Sequence, residues 1–93
     1  MALFKLGSIV ATPGALQFCE EHSIDPLVLI GRHAGGDWGD LDKDDVAANV
    51  HGIMHDLRVF SSYQFKQGKV WIITEADRSS TCIFQPIVDG VSG

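Results

Sequence analysis

The chain has 93 residues, 45% of them hydrophobic and 20% charged, and twelve acids against seven Lys and Arg give a net charge of −5. That is the length of one domain, too apolar for a wholly disordered chain and without an apolar run near the ~20 residues of a membrane span. The acidic balance argues against non-specific nucleic-acid binding, whose affinity comes from neutralising phosphates, and Met1–Lys5 lacks the features of a secretory signal, so a cytoplasmic location is expected.

Leu3 to Thr12 is rich in Leu, Phe, Ile and Val and predicts a strand. Thr12-Pro13 then caps a helix running to about His22, with Leu16, Phe18 and Cys19 on its apolar face. Asp25-Pro26 repeats the signal and opens a second helix to His33 or Ala34, stopped by Gly35-Gly36. Asp37 to Asp45 (DWGDLDKDD) holds five aspartates and is the most polar stretch. A third helix is predicted from Asp42 to about Met54, its first acids favoured by the helix dipole.

After Asp56 the period becomes two. Val59, Ser61, Tyr63 and Phe65 share one strand face, and Arg58, Phe60, Ser62, Gln64 and Lys66 the other. Gln67-Gly68 predicts a hairpin turn, Lys69 to Ala76 a second strand, and Ser80 to Gln85 a third. The expected fold is one α+β domain over residues 1–88, followed by a flexible tail at 89–93. In it an N-terminal strand and two to three short helices pack on a C-terminal three-stranded antiparallel meander, in a single mixed or antiparallel sheet.

Few residues point to chemistry. Asp40, Asp42 and Asp44 match the first oxygen positions of a calcium loop, but Asp45 stands where its glycine belongs and His51 where its glutamate belongs. His51 and His55 have the i, i+4 spacing of a zinc pair without the HExxH glutamate, a weak metal alternative with Asp56 as third ligand if the helix ends there. No nucleophile elbow, P-loop or dinucleotide fingerprint is present, so no cofactor is expected. Cys19 and Cys82 are expected to be buried free thiols. Trp38, in a glycine-flanked acidic loop, either plugs the core edge or offers an aromatic anchor.

Arg32-His33, the Gly36–Leu41 segment (GDWGDL), Asp44, Asn49, Arg58, Ser62-Tyr63 and the Trp71–Ser79 segment (WIITEADRS) with Thr81 form a recognisable set. Through them the sequence resembles a family of short proteins carried on bacterial plasmids and integrative conjugative elements, often labelled plasmid-related. The resemblance covers Leu6 to Pro86. Two departures stand out. Members end in Pro-Glu-Glu-Tyr where this chain has Pro86-Ile87-Val88-Asp89, and they lack the His51/His55 pair. The resemblance implies an accessory role on a mobile element in a bacterium and no particular mechanism.

The leading expectation is a non-enzymatic interaction protein that binds a protein partner through Asp37, Trp38, Asp40, Asp42, Asp44, Asp45, Glu75, Asp77 and Arg78. One form of it is an anti-defence protein whose acidic face occupies the nucleic-acid channel of a restriction or CRISPR effector. The alternative is a small enzyme with His33 as base or acid, Asp37 as its orienting or ligating carboxylate, and Arg32, Arg58 or Arg78 as anion clamp. A third class binds nucleic acid through Arg58, Lys66, Lys69 and Arg78 with Tyr63 or Trp71 stacking. Either a monomer or a homodimer fits, since an edge strand of the meander offers pairing across a two-fold axis.

Overall fold

The computed structural model describes residues 2–86, and the tail expected at 89–93 lies outside them. Described elements in chain order are β1 (Ser8–Ala11), α1 (Pro13–Glu21), α2 (Pro26–Ala34), α3 (Lys43–His55), β2 (Val59–Phe65), β3 (Gly68–Thr74) and β4 (Ser80–Phe84). They form an α+β fold around one mixed four-stranded sheet of order β1-β4-β3-β2. The meander is antiparallel, and β1 enters parallel to β4, with Ser8 opposite Ser80.

Each helix starts where its cap requires. The side chains of Thr12, Asp25 and Asp42 accept the backbone N–H of Ala15, Leu27 and Asp45, and Pro13 and Pro26 occupy first-turn positions where an N–H would be unused. Helix α3 ends at Asp56, which takes the left-handed conformation. Gly31 sits inside α2 with open space around its Cα. Gly31→Ala is therefore expected to stabilise the fold by about 0.5–1 kcal/mol, read as a higher urea midpoint.

Three expectations shift. Strand β1 is shorter than Leu3–Thr12, because Leu3 N–H goes to the Ala34 carbonyl and Leu6 C=O accepts from Thr81 Oγ1, both away from the sheet ladder. The hairpin turn is Lys66-Gln67 rather than Gln67-Gly68, since Gly68 already pairs with Phe65. Cys19 is buried, whereas Cys82 is only half-buried, on the sheet face away from the core.

The core lies on one face of the sheet. Ala15, Phe18 and Cys19 of α1 and Leu29 and Ile30 of α2 pack on Tyr63, Val70, Ile72 and Ile83. Side chains alternate along a strand, so the register defines the opposite face. One cross-strand row there reads Phe60–Ile73–Cys82–Val10, and the next reads Ser62–Trp71–Phe84. Trp71 meets Phe60 and Phe84 edge-on, with ring centroids 5.2 and 5.7 Å away. Its indole N–H is buried and has no acceptor among the described residues.

The two sheet edges differ. Along β2, the outward N–H and C=O of Phe60 pair with the Asn49 side chain at 2.9 and 2.6 Å. Ser62 N–H donates to Trp38 C=O, Ser62 C=O accepts from Asp40 N–H, and Gln64 N–H donates to Asp40 Oδ2. This edge is closed by α3 and the acidic loop. Along β1, Ser8 and Thr12 donate to β4, so alternation turns the N–H and C=O of Ile9 and Ala11 outward, where they have no partner among the described residues.

Candidate functional site

His33 is fully buried. Its Nδ1 meets Ser61 Oγ, and its Nε2 lies 2.9 Å from Thr74 Oγ1. Thr74 Oγ1 is 2.7 Å from Thr81 Oγ1, which is 2.7 Å from the Leu6 carbonyl. A carbonyl only accepts, and each hydroxyl has one proton to give, so the direction of the whole chain follows. Thr81 donates to Leu6, Thr74 to Thr81, His33 Nε2–H to Thr74, and Ser61 to the bare Nδ1. Nε2 is therefore the protonated nitrogen, and the lowered pKa leaves Nδ1 bare, so the imidazole is a neutral Nε2–H tautomer. Burial lowers its pKa to about 4. Phe4 covers the ring edge-on at 5.3 Å, and Trp38 Nε1–H donates to the His33 carbonyl at 3.1 Å.

Asp37 does not reach His33. Its carboxylate takes a two-pronged contact from Arg32, at 2.7 Å from Nε and 3.3 Å from Nη2, and its backbone C=O accepts the Tyr63 hydroxyl at 2.7 Å. This bond from Arg32 holds the Asp37 carboxyl below its ordinary range and raises the guanidinium, which also lies 4.5 Å over the Tyr63 ring. Burial pushes the Tyr63 hydroxyl up to about 12. The His33–Asp37–Arg32 arrangement of the enzyme alternative is not assembled: the imidazole meets the hydroxyls of Ser61 and Thr74, and the carboxylate faces outward. Two grooves among the described residues lie elsewhere. One of about 710 Å³ runs along Ala2–Gly7 and Ile9, and one of about 200 Å³ is lined by Gly14, Gln17, Phe18, Glu21 and Gln85.

The other candidate residues mostly hold the fold. Trp38 is buried and acts as a plug. Gly39 bridges to Ser62 at φ +75°, where a Cβ would lie 2.3 Å from the Ser62 carbonyl oxygen. Asp40 closes β2 and Asp42 caps α3. Asp44 and Asp45 lie in the exposed first turn of α3, and no hydrogen bond or ion pair ties their carboxylates to the described residues. Arg78 Nη1 donates to the carbonyls of Leu57, Glu75 and Ala76, and its Nη2 to that of Gly52, fastening the end of α3 to the β3–β4 turn. Glu75 pairs with Arg58 at 3.4 Å, an exposed contact of little worth. Asp77 accepts from Ser79 N–H, and bonding from Ser79 lowers its pKa.

His51 and His55 are exposed with ring centroids 4.3 Å apart, and no group of three or more His, Cys, Asp or Glu among the described residues could hold a metal ion. Sequence reasoning did not single out Ser61, Thr74 or Thr81 for a site. The available signal was a hydroxyl on the inward face of each strand, between Val59 and Tyr63, after Ile72, and before Ile83. No helix of the described residues is long and apolar enough to cross a membrane. No family model, curated protein or solved structure matches the chain.

Proposed function

We propose that the chain is a small non-catalytic interaction protein that docks on a protein partner through the exposed side of α3. One observation carries this reading. Helix α3 is the longest described helix, yet it places no large apolar side chain in the core. It buries Asn49 and Gly52, while Val46, Val50 and Met54 stay exposed at i, i+4 and i+8. Its first turn adds Asp44 and Asp45 at one end of that stripe. A helix with this pattern suits an apolar groove with a basic rim. The resemblance and the net charge of −5 support a cytoplasmic accessory role on a bacterial mobile element. In its anti-defence form, the acidic helix start would occupy a basic nucleic-acid channel of a defence effector.

The test is affinity capture from the bacterial host, read by mass spectrometry. Wild type is compared with Asp44→Lys/Asp45→Lys and with Val50→Asp. Asp40, Asp42 and Trp38 are left intact because each holds the fold. A stoichiometric partner is expected with wild type and should fall at least about tenfold in both variants. Equal recovery with all three proteins would refute docking through α3.

A further inference from the structure

We propose that β1 is a pairing edge for a second copy of this chain, joining two four-stranded sheets into one of eight across a two-fold axis. This inference is independent of the α3 reading. It starts from the contrast between the edges. Among the described residues every device that closes β2 is absent at β1, where Ser8–Ala11 holds no proline and no charged residue. Ile9 and Ala11 send their N–H and C=O groups outward without partners among the described residues. Ile9 and Val10 are each 48% exposed.

Unpaired alternating backbone groups select an extended strand as occupant. Charge favours a second copy of this chain. Leu6 to Cys19 carries no charged residue, so in an acidic chain this segment meets its own copy with little repulsion. Register then follows from geometry. Antiparallel hydrogen-bonded pairs must join residues that both face outward. Pairing Ile9 with the partner's Ala11, and Ala11 with the partner's Ile9, satisfies all of the outward groups within the strand. It places Val10 opposite the partner's Val10 on the dyad. The alternative centre, Ile9 on the partner's Ile9, needs Gly7 in the ladder, but Gly7 turns the chain at φ +66°. In the favoured register the row Phe60–Ile73–Cys82–Val10 continues across the dyad into the same row of the other copy. The paired stretch is short, so the association is weak and concentration-dependent.

Sedimentation equilibrium over a concentration series should show the 10.1 kDa chain approaching twice its mass. Ala11→Pro removes one outward N–H and leaves the β1–β4 bonds, which use Ser8, Val10 and Thr12. Val10→Lys places like charges on the dyad. Either variant should stay monomeric at concentrations where wild type dimerises, with its thermal midpoint near that of wild type; Val10→Lys serves if Ala11→Pro fails to fold. In a Cys82→Ser background, oxidised Val10→Cys should form a disulfide-linked dimer and Ile9→Cys should not, because only position 10 faces itself. A wild-type chain that stays monomeric throughout, dimers unaffected by both variants, or preferential cross-linking through position 9 would overturn the proposal. Pairing of a monomeric chain only with an added peptide strand would also overturn it.

Discussion

Truncating His33 to alanine is expected to destabilise the fold by about 3–5 kcal/mol, because it opens a core cavity and strips the strand hydroxyls of their partner. His33→Phe keeps the volume but still leaves Ser61 and Thr74 without the ring nitrogens. The pH dependence reads the same site in the wild-type protein. In the unfolded chain the imidazole protonates near 6.5, whereas in the folded chain it protonates only near 4. Between those values the unfolded state binds a proton that the folded state refuses. Stability contributed by neutral His33 is therefore fully present above pH 6.5 and is lost as pH falls toward 4, by on the order of 3 kcal/mol. Urea midpoints across this interval should fall for wild type and stay much flatter for His33→Phe. A wild-type midpoint that does not move would mean that the imidazole is not sealed as a neutral base. The lowered carboxyls of Asp37 and Asp77 contribute stability that is present above the ordinary aspartate value of 3.8 and is lost only as pH falls below it, outside this window.

The second large effect is at Gly39. An alanine there would place its Cβ 2.3 Å from Ser62 O and 2.7 Å from Tyr63 Cδ1, at a positive φ that L side chains rarely adopt. The loop would have to lift, breaking the bond from Ser62 N–H to Trp38 C=O and the bond from Asp40 N–H to Ser62 C=O. Together the left-handed backbone and the unpaired groups are expected to cost about 3 kcal/mol. In a Trp71→Phe background the emission of Trp38 should shift to the red as the plug leaves the core, and the uncovered β2 edge should increase aggregation. An unchanged spectrum with an unchanged urea midpoint would show that the loop does not depend on this glycine.

Local signals were legible in the sequence. The three helices begin where Thr12, Asp25 and Asp42 predict, because a cap needs only a side chain and the next turn of backbone. The inward face of β2 followed from alternation. The partner of β1 was not legible, because Ser8 and Ser80 are joined by a parallel pairing that no local pattern encodes. The roles of the candidate residues within the fold were not legible for a related reason. Asp37, Trp38 and Asp40 read as a surface motif because they are polar or aromatic beside glycines. Composition does not say whether a carboxylate faces water or a strand's backbone, and here Asp40 takes the N–H of Gln64. His33 looked like a catalytic base for the same reason, since its sealing depends on hydroxyls from three separate strands.

The place of β4 in the sheet has a consequence for biosynthesis. It is the last described strand in chain order, yet it lies between β1 and β3. A nascent chain that has reached Asp77 can make its helices and the β2–β3 hairpin, but β1 still has no neighbour and the Thr81 link to Leu6 does not exist. Closure of the domain waits until Phe84 has cleared the ribosome exit tunnel, so β1 stays without its sheet neighbour until β4 has emerged. Until then Ile9 and Val10 have both strand edges open, which makes β1 a segment that needs chaperone cover during synthesis.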